Sequence, residues 1–191
     1  MTTTSVSDKV IAITGGASGI GLATAHLLAS RGALLSLADL NASSLESAVA
    51  SIKTQTPKAS VMIFSLDVRN VTRVDDWIAA TVKQYGRLDG AVNLAGVIGK
   101  SIGVAGVKDI GQDEWDFILG INLTGTMNCM RAELRVIQAG GSIVSASSVA
   151  GIRGRAYNAA YTASKHGVIG LTTSAAREVG STGTRVNAIC P

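Results

Sequence analysis

Tyr161 and Lys165 stand four residues apart in Tyr161-Thr-Ala-Ser-Lys165, inside a segment that reads as helix. On a helix, positions i and i+4 share a face, so a phenol and an ammonium can converge on one site. Free tyrosine, with a pKa of roughly 10, is a poor base at neutral pH. A cation held close favours the phenolate and fits the phenol for general acid/base work. The pair gains its meaning from two other groupings.

The first is Thr14-Gly-Gly-Ala-Ser-Gly-Ile-Gly21, directly between an apolar run and a helical segment. Gly15, Gly19 and Gly21 remove side chains where a dinucleotide pyrophosphate would approach the backbone and a helix N-terminus. The spacing differs from the G-x-G-x-x-G form, but its place, after a strand and opening a helix, is the one that chemistry needs. The second is Asp39, which ends the next apolar run 18 positions after Gly21. An acid there accepts hydrogen bonds from the adenosine ribose hydroxyls and repels a 2′-phosphate. No Arg or Lys follows in Leu40-Asn41, and Ala17 and Ser18 are uncharged, so NAD is favoured over NADP.

The elements that must position these residues alternate along the chain. Apolar runs at Lys9–Thr14, Ala33–Ala38, Ser60–Leu66, Leu88–Leu94, Ser142–Ser147 and Thr184–Ile189 read as six strands. Helical patterns at Ile20–Ser30, Ala42–Lys53, Thr72–Tyr85, Asp113–Ile137 and Ala160–Val179 separate them. Continuous apolar strands joined through helices indicate a parallel sheet covered on both faces, a doubly wound α/β (Rossmann) fold. Such sheets bind ligands at the carboxyl ends of their strands, where Gly15 and Asp39 lie. No linker or internal repeat interrupts the 191 residues, which implies one dinucleotide-binding domain over 1–191.

Composition excludes several function classes. With 47% hydrophobic and 16% charged residues the chain has the apolar content for a large core, the reverse of a disordered protein. A net charge of +4, from 17 basic and 13 acidic residues with no basic run beyond a dipeptide, argues against nucleic acid. Cys129 and Cys190 are 61 positions apart without a His/Cys cluster, so no metal site is expected and both read as reduced core residues. The opening Met1–Asp8 has neither a basic nor an apolar leader region, and no run of eighteen apolar residues occurs. No membrane association and a cytoplasmic location are the expectation. Trp77 and Trp115 read as packing residues, and His26 and His166 have no partner that points to catalysis.

Taken together, Thr14–Gly21, Asp67-Val68, Asn93-Leu-Ala-Gly96, Asn122, Ser147-Ser148, Tyr161–Lys165 and Arg185-Val-Asn-Ala-Ile-Cys-Pro191 resemble the short-chain dehydrogenase/reductase family from about Lys9 to Pro191. Leu94 departs from it, standing where the family often has a second Asn. The resemblance implies an oxidoreductase that interconverts a secondary alcohol and a ketone with NAD(H). Tyr161 would be the acid/base, with Lys165 lowering its pKa and holding the nicotinamide ribose. Ser148 would bond the substrate oxygen, and Asn122 would anchor a water that links Lys165 to solvent. Strand alternation turns only one of the two serines inward, and the family spacing picks Ser148. The implied cofactor set is Gly15, Ser18, Gly19, Ile20, Gly21, Asp39, Leu40, Asp67, Val68, Asn93, Ala95, Gly96, Tyr161, Lys165 and Ile189. Asp67 would contact the adenine, and Ile189 would approach the nicotinamide. Arg153 and Arg155, in the loop that borders the family's substrate pocket, could attract an acidic substrate.

Family members continue past the equivalent of Pro191 through a substrate lid and a seventh strand, so the chain reads as C-terminally incomplete. The sixth strand is then expected to be a sheet edge. A catalytically idle dinucleotide-binding or oligomer-forming protein is the alternative reading. The resemblance also implies a homodimer or higher homo-oligomer. The expected interface is the two long helices, which carry Leu119, Leu123, Met127, Val168 and Leu171.

Overall fold

Short apolar runs and amphipathic runs alternate in space as they do in sequence. The computed structural model describes residues 5–191; Met1–Thr4, on which part of the leader reading rests, lies outside the described residues. The strands are β1 (Val10–Thr14), β2 (Leu34–Asp39), β3 (Val61–Ser65), β4 (Leu88–Asn93), β5 (Ile137–Ala146) and β6 (Arg185–Ile189). All pair in parallel, in the order β3-β2-β1-β4-β5-β6, which leaves β3 and β6 as the sheet edges. The order reverses between β1 and β4, so their carboxyl ends open a crevice in which a ligand can lie.

Two hydrophobic clusters cover the two faces. Ile13, Leu35 and Leu37 pack with α1 (Gly19–Ser30) and α2 (Ala42–Gln55). Val10, Ala12, Ala91 and Ile143 pack with α3 (Val71–Tyr85), α5 (Thr126–Leu134) and α6 (Ala159–Val179). Alternate residues of β1 serve opposite clusters, as the two-residue strand period requires. The helices after β2 and β3 begin in the same way. Asn41 accepts from Ser44 N at 3.0 Å and Asn70 from Arg73 N at 3.1 Å, each capping a helix just after a strand-end acid. Trp77 is fully buried and donates its indole N–H to Ser36 Oγ at 2.8 Å, which makes it a packing residue.

The expected single helix over Asp113–Ile137 is broken. α4 (Gln112–Leu119) passes through a π-helical turn, Gly120–Gly125, into α5, and Ile137 already belongs to β5. Two contacts from outside the helix hold the wide turn. Asn122 is bonded to the main chain of Val97, and a side chain at Gly125 would collide with Val68. β5 starts five residues earlier than its apolar core Ser142–Ser147, because Ile137 pairs with Leu88 across an irregularity before Gly90–Ser142.

Candidate active site

The glycine turn is built from close approaches. Gly15 has φ +67°, and a side chain there would press on Leu94 and Ala95 at about 3.0 Å. A methyl at Gly21 would collide with the Gly15 carbonyl, so this position brings α1 down onto the turn. Ser18 precedes α1 without a side-chain cap, leaving the first N–H groups of the helix open to an anion. Thr14 Oγ1 accepts from Leu94 N at 3.1 Å and Ala95 N at 3.2 Å, clipping the end of β4 to the end of β1. Leu94 therefore leaves the turn intact, because the main chain makes the contacts.

Above this turn lies a cleft of about 410 Å³. Gly15, Ser18, Gly19, Ile20, Gly21, Asp39, Leu40, Asp67, Val68, Ala95 and Gly96 line it. Asp39 is held at its edge, accepting from Ala17 N at 3.2 Å and Asn41 N at 3.3 Å. Glycines where a pyrophosphate must come close, an uncapped helix start and an acid at the ribose position fit a nicotinamide dinucleotide.

Four of the expected cofactor residues, Asn93, Tyr161, Lys165 and Ile189, are not among those that line the cleft. Asn93 turns its side chain to the opposite side, where Nδ2 donates to Glu133 Oε2 at 2.9 Å. It shares the face of Ala91, two positions earlier, and so points at α5. Ile189 sits at the exposed end of β6, and its carbonyl accepts from Ser147 N at 2.8 Å.

At the far end of the cleft, β4, the π-helical turn, β5 and α6 converge. Lys165 is buried, donates to the Ala146 carbonyl at 2.8 Å, and lies 5.6 Å from the Tyr161 ring centroid. Burial pulls the Lys165 ammonium down from 10.5 to about 8. Gly96 leaves room between two polar groups: a methyl there would lie 3.2 Å from Asn122 Oδ1 and 3.5 Å from Lys165 Nζ. Asn122 gives its amide protons to Val97 O (2.9 Å) and Ser164 Oγ (3.1 Å), and Oδ1 accepts from Val97 N (2.8 Å).

The paired serines divide their work. Ser147 is buried and donates to the Lys165 carbonyl at 2.8 Å. Ser148 is half-buried at the strand end, where its hydroxyl accepts from Ala150 N and donates to Pro191 O at 3.3 Å. Arg153 and Arg155 are both exposed. Among the described residues, no three His, Cys, Asp or Glu side chains converge as a metal site, and no helix is long and apolar enough to cross a membrane.

The family model of the short chain dehydrogenases matches residues 9–191. The chain belongs to that family. Short-chain dehydrogenase/reductase aba4 of Botryotinia fuckeliana (strain B05.10) is 53% identical over 185 residues, spanning 97% of this chain and 71% of that protein. Levodione reductase of Leifsonia aquatica is 40% identical over 191 residues, 99% of this chain and 70% of the relative. The crystal structure of levodione reductase superposes with a TM-score of 0.92 at 39% identity, covering 97% of this chain and 71% of the other. That of NAD+-bound xylitol dehydrogenase gives 0.91 at 34% identity, covering 98% and 71%.

Three residues of this short-chain dehydrogenase went unnoticed in the sequence. Arg69 lines the cleft and chelates Asp67, with Nε at 3.0 and 2.9 Å from the two carboxylate oxygens and Nη2 at 2.5 Å. The Arg69 guanidinium holds the Asp67 carboxyl below its usual range. Phe117 lies under that guanidinium, 5.5 Å from Arg69 Cζ to its ring centroid. Glu133 is fully buried, and burial pushes its carboxyl from 4.5 up to about 7. A glutamate beside Met130, Ala132 and Leu134 in a helical run, and an Asp-x-Arg just after β3, were the available signals.

Proposed function

We propose that this short-chain dehydrogenase interconverts a secondary alcohol and a ketone with NAD(H). The observation that carries the reading is the buried Lys165, 5.6 Å from the Tyr161 ring centroid and bonded to the carbonyl of Ala146, which lines the glycine-rich cleft. A nicotinamide dinucleotide held in the cleft supplies or accepts the hydride. Tyr161 exchanges a proton with the substrate oxygen through its phenol. Lys165, buried and close to that ring, favours the phenolate when charged and offers its ammonium to the nicotinamide ribose. Ser148 bonds the substrate oxygen while Ser147 holds the Lys165 backbone beside it. Both Asn122 amide protons are committed within the chain, so the water proposed to link Lys165 to solvent is held through an Asn122 oxygen as acceptor.

NAD is preferred to NADP in this reading. Asp39 stands at the cleft edge, and the Arg69 charge is already taken by Asp67. The solved xylitol dehydrogenase similar to this chain is NAD+-bound, which supports the assignment. The protein acts in the cytoplasm, and residues 1–191 form a dinucleotide-binding domain. It assembles as a homodimer through the groove between α5 and α6, where Met127, Met130, Leu134 and Leu171 are flanked by Arg131 and Glu178. Opposite charges beside an apolar strip suit a two-fold contact, and a clean monomer by light scattering at micromolar concentration would overturn it. Leu123 and Val168 turn inward instead, Leu123 against Gly167 and Val168 into the core.

The decisive experiment is Tyr161→Phe. Turnover of secondary alcohols should fall by about 10²–10⁴, with NAD affinity within a few-fold by calorimetry. Near wild-type turnover would sink the assignment. A wild-type chain that binds NAD yet turns over no alcohol or ketone would favour the idle, cofactor-binding alternative.

A further inference from the structure

We propose that Glu133 and Asn93 form a carboxylic acid–amide pair, closed by a proton on Glu133, that fixes the end of β4 beside the cleft. Its positioning role rests on the dinucleotide reading of the cleft; the pair itself does not. Asn93 Nδ2 donates to Glu133 Oε2 at 2.9 Å, and both side chains are buried. Among the described residues, the other two oxygens, Glu133 Oε1 and Asn93 Oδ1, are buried without a partner. Ser145, the register neighbour of Asn93 on β5, supplies none, since its hydroxyl is unpartnered as well. With Glu133 ionised both oxygens are acceptors and lack a donor, an arrangement that buried polar groups avoid. A proton on Oε1 makes that oxygen a donor. Oδ1, on the amide that already reaches Glu133, is the acceptor in need of one. One proton then satisfies both atoms, and two bonds hold the pair in place of one.

The surroundings leave the proton on Glu133. Burial raises its carboxyl to about 7 against the opposing pull of the Asn93 bond. Around α5, α3 brings Asp75, paired with Arg135, and β4 brings Asp89, at its opposite end and paired with Lys9 and Arg87. β5 and the π-helical turn carry no charged residue, and Lys165 on α6 is bonded to the Ala146 carbonyl. On α5 itself Arg131 lines the groove against α6, and Cys129 is a buried thiol. None supplies a counter-charge to Glu133. The pair reaches the cleft along the chain. Asn93 is the last residue of β4, and Thr14 Oγ1 takes the next two main-chain N–H groups, of Leu94 and Ala95. Ala95 and Gly96 line the cleft. Loss of the proton leaves Oε1 and Oδ1 without a donor and loosens this strand end.

Infrared difference spectra, wild type minus Glu133→Gln, test the pair. The carbonyl band of a protonated carboxyl should be present at about pH 5.5 and gone by about pH 8.5, on either side of about 7. In an Asn93→Leu background the same band should move to higher frequency, because the acid has lost its partner. Calorimetric titration with NAD tests the positioning. Gln offers Asn93 both an oxygen and an N–H at every pH. Wild type should therefore lose NAD affinity relative to Glu133→Gln by at least about fivefold between about pH 6 and about pH 8. Lys165 is common to both proteins and cancels in the ratio, and a role in stability alone would leave the ratio constant. No band at the lower pH, a band unmoved by Asn93→Leu, or a constant affinity ratio would overturn the proposal. If wild type binds no NAD at any pH, the dinucleotide reading falls and takes the positioning role with it, while the band still decides the pair.

Discussion

Replacing Glu133 by Gln should erase a pH dependence that the wild-type fold carries between about pH 4.5 and about pH 7. Glu133 is fully buried against Asn93, and desolvation holds it protonated well above the range of a free glutamate. A carboxyl with a raised folded pKa stabilises the fold fully below its unfolded value. That contribution disappears as pH rises through the folded value, because the unfolded chain gives up its proton first. Between 4.5 and about 7 the effect is about 3 kcal/mol at 1.36 kcal/mol per pH unit. About 2–3 kcal/mol of it falls between about pH 5 and pH 8.

Gln keeps the shape of the side chain and an oxygen for the Asn93 amide, but it cannot ionise. Urea unfolding of both proteins at intervals from about pH 5 to pH 8 reads the effect directly. All other titrating groups are common to the two chains and cancel in the difference. The stability of Glu133→Gln relative to wild type should climb by about 2–3 kcal/mol across that range. Parallel profiles would refute the claim that Glu133 is held neutral by burial. The contact matters to the site because Asn93 ends the strand that delivers Ala95 and Gly96 to the cleft.

Three further outcomes follow from the same geometry. Gly21→Ala should weaken NAD binding by at least about tenfold by calorimetry, since the added methyl would collide with the Gly15 carbonyl and lift α1 from the turn. Asp39→Ala should narrow or reverse the preference for NAD over NADP in the same titration, and an unchanged ratio would remove Asp39 from cofactor selection. Lys165→Met should weaken both NAD binding and turnover. It should also flatten the rise in stability that wild type shows from about pH 8 to 10.5, where the unfolded chain takes up a proton that the buried lysine does not.

What the sequence made legible was local. Glycines and strand-end acids declare their place by distance along the chain, and the alternation of apolar and amphipathic runs declares a parallel sheet covered on both faces. The break in the expected helix over Asp113–Ile137 was hidden. It depends on Asn122 meeting Val97 and on Gly125 meeting Val68, partners 25 and 57 positions away. Asn93 was readable in principle. Counting back to Ala91 puts its side chain on the helix-covered face, away from the cleft.

A pattern links the expected residues to the ones that were missed. Beside several groups placed at the candidate site stands a polar neighbour locked into the frame. Ser147 is bonded to the Lys165 carbonyl next to Ser148, and Ser164 receives Asn122 next to Lys165. Asn93 is bonded to Glu133 just before Ala95 and Gly96. Just beyond β5 adjacent side chains still point apart, so Ser147 is buried and fixed while Ser148 is left half-buried. Buried polar bonds of this kind stabilise little in net terms but are costly to leave unmade. They therefore fix where a strand stops and which way its next residue faces, and a site for proton and hydride transfer depends on that alignment.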